Sequence, residues 1–130
     1  ALPGFADLAA RVVDRAENLF VGQQAGENNG AGSHNTFAGY YAGQQNTTGD
    51  ENQFFGYLAG TGNTTGFWNT GVGAGALYTN STGSENTAVG ADALNKSTGN
   101  NNTAVGSHAL EKTTSGASNV AVGRNAAIET

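Results

Sequence analysis

The chain has 130 residues, 21 of them glycine, with 12% charged side chains and a net charge of -5. Five Lys and Arg in all provide no basic patch to neutralise phosphates, which argues against a nucleic-acid partner. No apolar run approaches the ~20 residues of a membrane span, and the absence of cysteine fits a reduced cytosol or an exported bacterial protein equally well.

Residues 1–17 read as a separate unit. Phe5, Leu8, Ala9, Val12, Val13 and Ala16 follow i, i+3, i+4, i+7, i+8 spacing, with Asp7, Arg11, Asp14 and Arg15 on the other side and Pro3-Gly4 ahead of them. The pattern predicts a short amphipathic helix that caps the following unit or bridges subunits, with Phe5, Leu8, Val12 and Val13 in the contact. A membrane-surface helix is the alternative, which its short length and balanced charge argue against. A start at Ala1 without methionine suits a mature protein whose signal peptide has been removed, or a trimmed chain.

Residues 18–130 repeat one short unit seven times. Asn18, Asn35, Asn52, Asn69, Asn86, Asn102 and Asn119 are spaced 17, 17, 17, 17, 16 and 17 residues apart. Each is followed four residues later by a glycine (Gly22, Gly39, Gly56, Gly73, Gly90, Gly106, Gly123) and seven later by an alanine. A second glycine column, Gly32, Gly49, Gly66, Gly83, Gly99 and Gly116, closes six units. Glycine and Asn-Thr richness alone would suggest disorder, but a strict short period is the signature of a stacked repeat.

Two glycines per unit and β-branched residues oppose a helix. The fold class expected is all-β, a parallel β-solenoid (β-roll) of seven ~17-residue coils. Each coil would have a short strand such as Asn86–Val89, a glycine corner, a second short strand with Ala-Leu, and a return corner of Ser-Thr-Gly type. The asparagines are expected to form a ladder, each amide donating to one neighbour and accepting from the other, and the corner glycines to supply positive φ or close approach. Asn46-Thr47-Thr48, Asn63-Thr64-Thr65 and Asn80-Ser81-Thr82 match the glycosylation sequon but recur with the repeat, and read as turn residues.

Two columns change together. Phe20, Phe37 and Phe54 accompany Gly26, Gly43 and Gly60, whereas Gly71, Ala88 and Ala104 accompany Leu77, Leu94 and Leu110. That exchange reads as volume compensation across a shared packed space. The adjacent column, Val21, Ala38, Phe55, Val72, Val89, Val105 and Val122, is also apolar, so both strand faces are expected to be covered, one of them by another copy. The assembly interface is read as Phe5, Leu8, Val12, Val13, Phe20, Phe37, Phe54, Leu77, Leu94 and Leu110, so that Phe37→Asp or Phe54→Asp should abolish lateral assembly and leave a monomer.

The position before each asparagine runs Glu17, His34, Glu51, Trp68, Glu85, Asn101, Ser118, with no carboxylates in adjacent coils, as repulsion between stacked charges requires. His34 can pair with either neighbouring glutamate, and His108 reads as isolated and solvent-facing. Past the seventh Ala-Ala the chain stops at Thr130, which suggests an open edge able to recruit another chain, or truncation of a longer fibre protein.

The motif Asn-Thr-Ala-Val-Gly-x-x-Ala-Leu, in Asn86 to Leu94 and Asn102 to Leu110, resembles the head repeats of YadA-like trimeric autotransporter adhesins and related phage tail-fibre repeats, over residues 18–127. The resemblance implies a left-handed parallel β-roll, three chains packed side by side, an extracellular setting and adhesion to host or matrix surfaces.

No catalytic constellation and no metal or cofactor site can be assembled from these residue types, so an enzyme is not expected. Ice binding would need an unbroken threonine plane, which Leu19, Gln53 and Val120 interrupt, and calcium rolls need aspartates in every turn. The expected function is a secreted structural protein that polymerises with itself, head to tail or laterally, into an extracellular filament or surface appendage. The alternative is an adhesive head or tail-fibre segment acting as a discrete homotrimer.

Overall fold

The computed structural model describes residues 16–127, which form a parallel β-solenoid. Seven strands, β1 (Leu19–Val21), β2 (Thr36–Ala38), β3 (Gln53–Phe55), β4 (Thr70–Val72), β5 (Thr87–Val89), β6 (Thr103–Val105) and β7 (Val120–Val122), pair in chain order in one parallel sheet. The register follows the asparagine spacing, with Phe37 opposite Phe54 and Ala88 opposite Ala104. The missing residue of the 16-residue coil is absorbed between Ser97 and Gly99, so β5 and β6 still align. The helix expected near the N-terminus, with Phe5, Leu8, Val12 and Val13, lies outside the described residues, as do residues 128–130.

Each coil has one strand, not two. The Ala-Leu limb takes left-handed backbone at alternate positions, as at Tyr41 (φ 59) and Gly43 (φ 58), or Asp92 (φ 56) and Leu94 (φ 50). Its N–H groups divide accordingly. Those of Tyr41, Gly43 and Gln45 reach carbonyls of neighbouring coils, at Gln23, Ala59 and Thr61, while those of Ala42, Gln44 and Asn46 close turns onto the carbonyls of Gly39, Tyr41 and Gly43. The limb is therefore a stack of turns that still satisfies its backbone. The corner glycine is obligatory for a related reason: at Gly90 φ is 133, and a Cβ would come 2.6 Å from the carbonyl of Gly106 in the next coil.

The apolar core is thin. Phe37, Phe54, Leu77, Leu94 and Leu110 are buried, with the alanine column beside them. The rings of Phe20, Phe37 and Phe54 stack along the axis at centroid spacings of 5.0 and 5.1 Å, close to the ~4.8 Å rise of a parallel sheet. A Cβ on Gly43 would meet the Phe37 ring at 2.5 Å, and one on Gly71 would lie 3.4 Å from Leu77. The two exchanging columns thus fill one space from opposite limbs, as their compensation predicts.

The asparagine ladder differs in its bonds from the expected amide-to-amide chain. Each Oδ1 accepts the backbone N–H of the next asparagine, as from Asn35 to Asn18 (2.7 Å) and from Asn52 to Asn35 (2.8 Å). From Asn18 to Asn102 each Nδ2 donates to a second-column glycine carbonyl, as from Asn35 to Gly49 and from Asn52 to Gly66, both 2.8 Å. Direct amide contacts accompany this at Asn52 to Asn35 and Asn119 to Asn102, and Asn69 reaches across to Asn63 Oδ1 at 3.4 Å. The reason is the left-handed residue ahead of each asparagine, which turns the asparagine N–H into the interior where only a side chain can meet it.

A true amide ladder stands elsewhere. Asn46 donates to Asn29 at 2.7 Å, Asn63 to Asn46 at 2.8 Å and Asn80 to Asn63 at 3.2 Å. These amides also donate to the same glycine carbonyls, so Gly49 O accepts from both Asn35 and Asn46, and Gly66 O from both Asn52 and Asn63. Both lone pairs of each carbonyl are used. The ladder stops where Ser97 and Thr113 replace asparagine, which leaves Asn80 Oδ1 and the Ser97 hydroxyl buried without a partner. Asn46, Asn63 and Asn80 are fully buried, so the folded chain presents none of the three sequons to a glycosyl transfer.

Candidate functional site

Strand side chains alternate, so the middle residue of each strand enters the core and its two neighbours face outward. The outward columns are Leu19, Thr36, Gln53, Thr70, Thr87, Thr103, Val120 and Val21, Ala38, Phe55, Val72, Val89, Val105, Val122. None of these fourteen side chains is charged. Val72, Val89 and Val105 are each 38% exposed and Phe55 40%, which makes one continuous apolar stripe along the sheet.

This placement corrects the interface read from sequence. Phe37, Phe54, Leu77, Leu94 and Leu110 are sealed in the interior and Phe20 is half-buried, so the apolar column that reaches solvent is the valine column. Phe37→Asp or Phe54→Asp would bury a carboxylate in an apolar core and unfold the coil, without testing assembly. The signal was legible: the column that trades volume with another must be the inner one.

Charges lie at the corners and on the turn limb. His34 Nε2 pairs with Glu17 at 3.2 Å, both exposed. His108 is not isolated, because its Nδ1 lies 2.8 Å from Glu111 and 4.0 Å from Asp92. At the corner before the strands, side chains from one coil accept N–H groups of the coil before it, Asp50 from Ser33 and Asn100 from Ser84. Among the described residues no three His, Asp or Glu side chains group as metal ligands, and no helix is long and apolar enough to cross a membrane.

Exposed aromatics form two further patches. Phe67 and Trp68 meet edge to face at 5.2 Å on the corner. On the turn limb Tyr40 packs edge-on to Tyr41 at 4.2 Å and stacks on Tyr57 at 5.5 Å. The Tyr40 hydroxyl ionises above the ordinary phenol range, first because of its side-chain hydrogen bond with Tyr41, then through desolvation and the charges of Tyr41 and Tyr57. In an absorbance titration, Tyr41→Phe should bring the last tyrosine step to lower pH.

Sequence reasoning missed the second asparagine column, although Asn29, Asn46, Asn63 and Asn80 keep the same 17-residue spacing as the first ladder. Comparison with known proteins finds no matching family model, no similar curated protein and no similar solved structure.

Proposed function

We propose that the chain is a secreted structural subunit that binds copies of itself through the outward strand face, building an extracellular fibre or surface appendage. The observation that carries this reading is the uncharged outward strand face, with its continuous apolar valine column, on a sheet whose charges all lie elsewhere. Its side chains recur with the ~4.8 Å rise of a parallel sheet, and a second copy of the same solenoid offers ridges with the same spacing. The extracellular setting rests on the resemblance of Asn86 to Leu94 and Asn102 to Leu110 to adhesin head repeats. The same resemblance supports the second reading, in which three chains bury the stripe in a discrete adhesive head.

Val72→Lys and Val89→Lys test the face, because both side chains already reach solvent and their replacement leaves the core intact. We expect a cost of about 1 kcal/mol or less in stability. Light scattering should show the wild-type chain as an assembly and the double variant as a monomer. Negative-stain images then separate the forms: threads support a fibre and uniform three-chain particles support the head. A wild-type chain that stays monomeric into the millimolar range ends the proposal.

A further inference from the structure

The tyrosine column on the turn limb ends abruptly. Successive coils place Tyr40, Tyr57, Ala74 and Ala91 at this position. The Tyr40 and Tyr57 rings stack with an interplanar angle of 13° and follow the coil rise, so one face of Tyr57 is covered by Tyr40. The other face looks toward the next coil, where alanine stands. A cavity of about 300 Å³ opens there, bordered by Tyr57, Ala74, Tyr78, Ala91, Asp92 and Asn95.

We propose that this cavity is a carbohydrate subsite in which a pyranose ring takes the place the next tyrosine of the stack would fill. The π-face of Tyr57, which is 57% exposed, attracts the polarised C–H groups on one face of a sugar ring. Ala74 and Ala91 extend no further than Cβ and leave the depth of a ring free. The polar wall is held in place: Asn95 Nδ2 donates to Asp92 Oδ1 at 3.0 Å and to the carbonyl of Gly75 at 2.9 Å. Gly75, at φ 71, leaves room for that carboxylate, since a Cβ would collide with Asp92 Oδ1. The Asp92 carboxylate, part-exposed and 4.0 Å from His108 Nδ1 through its Oδ2, offers an acceptor for sugar hydroxyls at the cavity's border, where Asn95 and Tyr78 are the other polar residues. An ammonium or guanidinium group would leave most of this volume empty, whereas a pyranose fills a pocket at the small end of the ligand range. The site lies on the turn limb and leaves the strand face free, so it does not depend on self-association.

Saturation-transfer NMR on the sugar protons tests it, because the readout works for a monomer or a large assembly. The probes are methyl β-glucopyranoside, methyl β-galactopyranoside and methyl N-acetyl-β-glucosaminide, titrated against the full chain. We expect transfer to the protons of one ring face for at least one glycoside, saturating in the millimolar range. Tyr57→Ala should weaken it at least tenfold. Ala74→Tyr, which continues the ring stack and keeps the fold, should abolish it. Absence of saturable transfer with all three glycosides overturns the proposal, as does unchanged binding in folded Ala74→Tyr. Competition by arginine or tetramethylammonium at equal concentration overturns it in favour of a cation site.

Discussion

Phe37→Ala should destabilise the solenoid by about 3–5 kcal/mol, and adding Gly43→Leu should recover at least half of that loss. Phe37 is fully buried, and its ring is sandwiched between those of Phe20 and Phe54, so truncation removes both the transfer energy and two stacking contacts. The space it leaves is the one the opposite limb fills in later coils, where Ala88 pairs with Leu94 and Ala104 with Leu110. Gly43 has φ 58, and Leu77, Leu94 and Leu110 occupy the same position at φ 55, 50 and 50. The left-handed leucine costs about 1–2 kcal/mol, and three native coils carry it. Gly43→Leu alone should destabilise, because a Cβ there already meets the Phe37 ring at 2.5 Å. Urea unfolding of both single variants and the double one gives the coupling; a double variant no better than Phe37→Ala removes the case for volume exchange.

Asn52→Ala should cost a comparable amount, about 3–5 kcal/mol, through polar groups and not volume. Its Oδ1 is the acceptor for the Asn69 N–H at 3.0 Å, and its Nδ2 donates to the Gly66 carbonyl at 2.8 Å and to Asn35 Oδ1 at 3.2 Å. Truncation leaves the buried N–H of Asn69 with no acceptor, and water has no route to a residue with no exposed surface. Asn52→Asp separates the two halves of this role. Its carboxylate still accepts from Asn69 but cannot donate to Gly66 O, and burial raises its folded-state pKa above the unfolded value of about 3.9. The protonated form is therefore the one the fold prefers. Stability should be greatest below the unfolded pKa and fall as pH rises through the folded one. Thermal unfolding from pH 3 to 7 reads this, and a melting temperature that instead rises with pH would contradict the donor role.

The stacking register was legible because one asparagine per coil, in a fixed relation to two glycines, leaves a single alignment. The parallel β-solenoid follows from it. The second limb was harder to read. Ala93-Leu94 looks like strand, and nothing in leucine signals left-handed backbone; the hint was Gly26, Gly43 and Gly60 at the same position, where glycine has two causes at once, room for a phenyl ring and positive φ. The interface was read onto a column that is buried, although its exchange of volume with the opposite limb already marked it as the inner one. The tyrosine groove was invisible for a different reason: it consists of what is missing after Tyr57, and an alanine in a list of residues does not announce a space.

Because each coil's ladder bonds run only to the coils immediately before and after it, the molecule has the mechanics of a spool. Tension on the chain at an outer coil breaks only that coil's bonds to its neighbour. At ~3.4 Å per extended residue, 17 residues then pay out nearly 60 Å of thread for the loss of one ~4.8 Å layer. Each peeled coil exposes another that begins with the same buried asparagine. A fibre built this way would yield in equal steps and rewind from whatever coil remains.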